Sequence, residues 1–285
     1  MLTLVFSGGV APVLGAARIV GDWVDECGCV FARAFSGSNL SWVEWAGVGT
    51  FVFSTGSTEV RVWPHPKASD TAVVDTFSRA IQPIVLQAFG QQALHAAGAI
   101  GPAGVVAFCG NKGSGKSTLA FAMRQVGWRQ FADDVLLLRF EKFRVTACPL
   151  PFTPRLRPDS RGHFASLIGL VKPGEPLLSD LPLAAVFLLR HEDGLDSPRI
   201  SLLPGARALS ELLAHAHFFD TKDRRHMQQL YENYLELIAR VPVFALEYRP
   251  NFQRLPQLTR AVVAATGVDA GAIDSSELRP TVIVQ

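Results

Sequence analysis

With 285 residues, 48% of them hydrophobic, and a net charge of +2, the chain has the apolar content for a full core without crosslinks. So small a charge, with no run of one sign, argues against nucleic acid as a main partner. Four cysteines do not make a disulfide framework at this length: Cys27 and Cys29 form a lone C-x-C, while Cys109 and Cys148 sit in apolar surroundings, so packed, reduced thiols in a cytoplasmic protein are expected.

The apolar start lacks the positively charged region of a secretion signal. From there to about residue 65, short strands (LTLVF, GCVFARAF, TFVFS, EVRVW) alternate with turns rich in Gly, Ser and Asn. Residues 70–89 have helical spacing, with Val73, Val74, Phe77, Ile81, Ile84 and Val85 on one face. Residues 1–90 are therefore expected to form a small β-rich module, and residues 91–285 a second domain. Residues 80–111 carry no formal charge, long enough on paper to span a bilayer. The stretch also holds four glutamines, His95 and two prolines and runs straight into a glycine-rich loop, so burial in a core is expected and a membrane span is not.

The second part alternates. GVVAFCG reads as a buried strand, STLAFAMRQ as a helix and FADDVLLLRF as strand again. Residues 146–180 are rich in Pro and Arg with little periodicity; PLAAVFLLR and RISLLP read as strands, residues 206–217 and 223–240 as helices, VPVFALEYR as a strand, and a last helix starts near Leu255. The layout predicts an α/β fold around a mixed sheet.

Residues 110–117, GNKGSGKS, match the phosphate-loop pattern G-x-x-x-x-G-K-[ST] in full. Gly110, Gly113 and Gly115 permit backbone conformations and close approach that a side chain would block. The N–H groups of Gly110, Asn111, Lys112, Gly113, Ser114, Gly115, Lys116, Ser117 and Thr118 are the candidates to ring the phosphates of ATP. Lys116 supplies a positive charge for the β- and γ-phosphates, and the Ser117 hydroxyl a ligand for Mg²⁺.

Asp133 and Asp134 follow Lys116 by only seventeen and eighteen positions. A helix from Lys116 to about Val126 would carry the chain roughly 16 Å away. Gly127 can end it, and an extended return over residues 128–132 covers about the same distance. Both carboxylates then arrive beside the loop. One can hold Mg²⁺ and the other can accept the proton of an attacking hydroxyl; alternatively, one simply caps the turn. His95, twenty-one residues before Lys116, taken alone reads as a core histidine.

At these residues the chain resembles the catalytic domain of bacterial HPr kinase/phosphorylase: a histidine ahead of the strand, the loop, a helix, a glycine, then Ala132-Asp133-Asp134. The resemblance implies a phosphate-loop mixed sheet with flanking helices, as in that family and in phosphoenolpyruvate carboxykinase. It implies ATP and Mg²⁺ served by Lys116 and Ser117, and Asp134 as base for a serine hydroxyl supported by His95, which leaves Asp133 for the metal. The family's glycine-rich signature after the aspartates, with its metal-binding glutamate, is absent; Glu175 is the one glutamate there and is not assigned. The chain is thus more similar to the HPr-kinase-like proteins of peptide-modification systems such as lasso peptide maturation. The acceptor expected is a serine-type hydroxyl on a peptide, a protein or a small molecule, and a homo-oligomer is compatible with this reading.

Arg155 and Arg157 suit a γ-phosphate or an acidic acceptor, and equally a solvated loop. Lys222, Arg224 and Arg225 read as a solvated helix start. His215 and His217, taken as helical, do not share a face. The D-x-x-G at Asp159–Gly162 has no N-K-x-D after it and is set aside. Two rival readings remain: a nucleotide-sensing module without transfer, and a relative of phosphoenolpyruvate carboxykinase.

Overall fold

The computed structural model describes residues 2–9, 11, 15–150, 152, 154–168, 179–220 and 222–267. Glu175 and part of the 146–180 segment lie outside them.

The first six strands are β1 (Thr3–Phe6), β2 (Arg18–Val24), β3 (Val30–Ser36), β4 (Ser41–Trp45), β5 (Gly49–Phe53) and β6 (Glu59–Pro64). They form one sheet in the order β1-β6-β5-β4-β3-β2, with β1 parallel to β6 and the other pairs antiparallel. Alternation selects one face: Ala34, Val43, Phe51, Phe53, Val60 and Val62 are buried, while Glu44 and Arg61 point away.

That face is covered by a nearly continuous helical segment. It consists of α1 (Asp70–Thr76), a π-helical turn (Phe77–Ile81) and α2 (Gln82–Ala88). The Ser69 side chain accepts the Ala72 N–H at 3.2 Å and starts α1. Val73, Phe77, Ile81, Ile84 and Val85 are buried as the spacing predicts, but Val74 is exposed, because its neighbour Val73 already takes the inward position. Val135, just before a strand of the second sheet, and Leu137 and Cys148 within that sheet close the same core.

That sheet contains β7 (Gln92–Leu94), β8 (Ala96–Gly101), β9 (Gly104–Cys109), β10 (Arg129–Ala132), β11 (Leu136–Phe140), β12 (Val145–Cys148), β13 (Leu181–His191), β14 (Arg199–Leu202) and β15 (Val243–Tyr248). The eleven-residue β13 organises it. Its start pairs with β12, which leads on to β11 and β7; its remainder lies parallel to β9 on one side and to β15 on the other. Antiparallel β8, β10 and β14 complete the mixed sheet.

The helices are α3 (Lys116–Ala122), α4 (Pro158–His163), α5 (Ala165–Ile168), α6 (Gly205–Leu213), α7 (Arg224–Arg240) and α8 (Leu255–Thr266). Along β9, Val105, Ala107 and Cys109 face α6 and α7, while Val106 and Phe108 face α3 and α8. Each large side chain so buried contributes about 1.5–3 kcal/mol. The chain is mixed α/β, with this sheet between two helical layers.

The uncharged residues 80–111 are α2, β7, β8 and β9, largely buried. Among the described residues no helix is long and apolar enough to cross a membrane. All four cysteines are free, but only Cys109 and Cys148 are packed inside. Cys27 and Cys29 are exposed in the β2–β3 turn, where both N–H groups donate to Asp25 Oδ1 at 2.9 Å, so the expectation of packed thiols fails for this pair. The expected helix over 206–217 also stops early: α6 ends at Leu213, and Ala216 forms an antiparallel bridge with Leu94.

Between α3 and β10 the chain reverses through a 3₁₀ turn (Met123–Val126) and Gly127 at φ 84°. A Cβ at Gly127 would meet nothing within 4 Å, so substitution strains only the backbone. Gly127→Ala is expected to lower stability by about 1 kcal/mol in urea unfolding; an unchanged or higher midpoint would show that the turn relaxes at no cost.

Candidate active site

The glycine-rich loop leaves the buried end of β9, the strand preceding α3. Gly110, Gly113 and Gly115 have φ of 151°, 91° and 88°. Two of them are also pressed by neighbours: a Cβ on Gly110 would lie 2.5 Å from Ser114 Oγ, and one on Gly115 would lie 2.5 Å from the Tyr248 hydroxyl. That hydroxyl, at the end of β15, donates to the Ser114 carbonyl at 2.5 Å and ties the loop to the sheet. The loop's shape is therefore set by its surroundings as well as by its glycines.

Lys116 is 9% exposed, and its ammonium donates to the carbonyls of Gly110 at 2.8 Å and Asn111 at 3.3 Å. Burial pulls its pKa down, opposed by Asp134 and Asp133. Asn111 O also accepts the Ser114 N–H at 3.0 Å, and Ser114 Oγ is buried without a partner. Lys112 is exposed, 3.5 Å from Glu26. The Thr118 hydroxyl meets Ser160 Oγ at 2.9 Å, joining α3 to α4.

The return of the chain along β10 brings Asp133 and Asp134 to this loop, and their environments differ. Asp133 is 8% exposed; Oδ2 accepts the Arg155 N–H at 2.7 Å, while Oδ1 is buried with no partner. Ser117 is near enough to pull the Asp133 pKa down, short of a well-formed hydrogen bond. Burial outweighs these effects and pushes the carboxyl up to about 6. Asp134 takes φ 69°, the one described non-glycine residue with positive φ. Its carboxylate is half-exposed and lies 3.3 Å from Arg79 Nη1, on the π-helical turn. Arg79 also holds Asp75 at 2.9 Å, and Asp75 holds Arg155 at 2.6 Å.

His95 follows β7, and its Nδ1 meets the backbone carbonyl of Asp134 at 3.0 Å, not the carboxylate. That bond sets Nδ1 as the protonated nitrogen and fixes the turn bearing Asp134. Burial and then the charge of Lys116 hold the imidazole below its ordinary pKa. The reading of His215 and His217 as helical neighbours on different faces is corrected here. His95 N–H donates to His215 O at 2.7 Å and His217 N–H to Ala93 O at 3.0 Å around the Ala216–Leu94 bridge, while His215, its own N–H on Leu212 O at 2.9 Å, closes the turn after α6. His217 packs edge-on to His95, ring centroids 6.1 Å apart, and burial pulls its pKa down to about 4.

Among the described residues no three His, Cys, Asp or Glu side chains form a metal cage. Mg²⁺ usually needs only one or two protein oxygens beside phosphates and waters. The buried, unpartnered Asp133 Oδ1 beside Ser117 fits that demand. Two arginines also reach the site, one of them outside the sequence expectation. Arg79 comes from the N-terminal helical segment with no local signal. Arg157 lies against Gly113, where a Cβ would sit 3.3 Å from its Nη2.

The raised pKa of Asp133 carries a pH signature. The folded protein keeps this proton up to about pH 6, while the unfolded chain releases it near 3.8. The cost of burying the charge is absent below 3.8, grows across that window, and above 6 reaches at most about 3 kcal/mol. Asp133→Asn is expected to be more stable than the parent at pH 7.5 without nucleotide, and to lose that advantage at pH 4 and below. It should also lose any Mg²⁺-dependent gain in thermal stability; a variant with the parent's pH profile would refute the burial assignment.

No family model matches the sequence, and no curated protein does. Among solved structures, the chain is similar to the Hpr(Ser) kinase/phosphatase from Coxiella burnetii. That similarity covers 61% of this chain and 96% of the other, at 16% identity and a TM-score of 0.33. A likeness of that size says nothing of what either site binds.

Proposed function

We propose that the chain is an ATP-dependent kinase that transfers the γ-phosphoryl group to a serine-type hydroxyl of a peptide, a protein or a small molecule. The observation that supports it best is the pair of adjacent carboxylates with unlike environments, Asp133 buried beside Ser117 and Asp134 half-exposed, at the mouth of the glycine-rich loop.

In this reading the loop N–H groups from Gly110 to Thr118 hold the phosphates. Lys116 exchanges its carbonyl partners for phosphate oxygens, as a mobile cation on a flexible stem can. Ser117 and Asp133 would hold Mg²⁺, whose bound charge offsets that of the phosphates. Asp134 takes the proton of the acceptor hydroxyl as its oxygen bonds to the γ-phosphorus and the bond to the β-phosphate oxygen breaks, releasing ADP. His95 acts on Asp134 through the backbone carbonyl, so it is a positioning residue. The exposed free thiols of Cys27 and Cys29 suit a reducing compartment such as the cytoplasm.

A nucleotide sensor is the second reading, and the Arg79–Asp134 ion pair favours it. The carboxylate that would serve as base is already engaged by the N-terminal helical segment, through which a conformational output could pass. Acceptor phosphorylation from γ-labelled ATP, with nucleotide affinity measured alongside, separates the two. Asp134→Asn is expected to slow transfer by about 10²–10⁴-fold while leaving ATP affinity nearly unchanged. Lys116→Ala should weaken binding and abolish transfer. Near-normal transfer by Asp134→Asn would sink the base assignment, and transfer by neither parent nor variant with intact ATP binding would favour the sensor.

A further inference from the structure

The segment carrying Arg157 is held to the site at three points. The Arg155 N–H donates to Asp133 Oδ2 at 2.7 Å. Leu156 is buried in the core layer that holds Phe121 and Phe164. Arg157 itself is the residue before α4: its carbonyl accepts the Arg161 N–H at 2.8 Å, and Ser160 of the same turn bonds Thr118 at 2.9 Å. With its backbone so placed, the Arg157 side chain lies over the phosphate loop, Nη2 and Nη1 being 3.3 and 3.7 Å from a Cβ built on Gly113.

The guanidinium has no ion pair or hydrogen bond among the described residues. The neighbouring arginines differ: Arg155 is paired with Asp75, and Arg79 with Asp75 and Asp134. An unpaired planar cation held over a glycine of the loop has a vacant set of donors matched to phosphate oxygens. Gly113 belongs to the same loop as Lys116, whose ammonium suits the β- and γ-phosphates, so a guanidinium held over it is available to a terminal phosphate.

We propose that Arg157 is a nucleotide-contacting residue that binds the γ-phosphate and makes the loop selective for nucleoside triphosphate over diphosphate. This rests on the loop reading above and adds a residue and a specificity to it. Lys116 cannot supply that selectivity alone, because a point charge between β- and γ-phosphate serves both nucleotides. A fixed guanidinium reaching only the terminal group serves one. The same contact would be strengthened as charge builds on the transferring group, so Arg157 bears on the rate as well as on binding.

The test is calorimetric titration, with Mg²⁺ present, of the β,γ-imido analogue of ATP and of ADP, on parent, Arg157→Ala and Arg157→Lys. The side chain is exposed and makes no capping bond, so the variants are expected to unfold at the parent's temperature without nucleotide. Arg157→Ala should weaken the triphosphate analogue about 10-fold and ADP less than about 2-fold, with Arg157→Lys between. If the parent binds both nucleotides and Arg157→Ala weakens neither, or both equally, the γ-phosphate assignment falls and the loop reading stands. If the parent binds neither, the loop reading falls and takes this assignment with it. Should Arg157→Ala fail to fold, the ratio for Arg157→Lys decides on the same terms.

Discussion

Lys116 puts an ammonium in a nearly dry position at the end of β9, and the carbonyls of Gly110 and Asn111 replace its water. An unpaired buried charge would cost several kcal/mol, so the loop has to fold back around the lysine even without a ligand. Gly110 and Gly115 permit that path where Ser114 Oγ and the Tyr248 hydroxyl leave no room for a side chain. In the proposed reading a bound anion would exchange one set of oxygens around the lysine for another.

The same economy separates the two aspartates. Asp133 and Asp134 lie in the bend between β10 and β11, where the chain turns and the buried Asp133 carboxylate and the half-exposed Asp134 carboxylate diverge. The left-handed turn at Asp134 strengthens the divergence, at a cost that an aspartate bears more easily than a branched residue. His95 holds that turn through the backbone carbonyl, which leaves the Asp134 carboxylate to the solvent side and to Arg79. Unlike environments for like groups are what the proposed division into a metal ligand and a base would require.

What was legible in the sequence was what depends on neighbours in the chain. The loop, the helix, Gly127 and the returning strand are consecutive, and dihedral preference with element length is enough to bring both aspartates back beside the loop. The π-helical turn was read only as helix, since a one-residue widening leaves the apolar spacing nearly intact. His215 and His217 fall outside the helix because α6 ends two residues before His215 without a glycine or proline to mark it, and the bridge from Ala216 to Leu94 joins residues far apart in sequence. Arg79 gives no local sign at all, and for Arg157 the sequence leaves a phosphate contact and a solvated loop equally open. Their contacts are with residues 55 and 44 positions distant, and nothing in an arginine's neighbours says which carboxylate or loop it will meet.

The N-terminal strands carry no chemistry of their own, yet they bear on the site through the helical segment they support. Phe77 and Ile81 seat the π-helical turn on the first sheet, and Arg79 between them reaches Asp134 on the other side. From there the chain of contacts runs through Asp75 to Arg155, whose backbone returns to Asp133. These ion pairs are partly exposed and each is worth at most about 1 kcal/mol, too little to hold the two sheets together. That task falls to the shared apolar core of Val85, Val135 and Leu137. The ion pairs instead fix direction: with two carboxylates and two guanidiniums in series, turning any one of them leaves a neighbour without its partner. The β-rich part thereby orients both aspartates while contributing no atom to the phosphate loop, a division in which packing sets the distance and charge sets the angle.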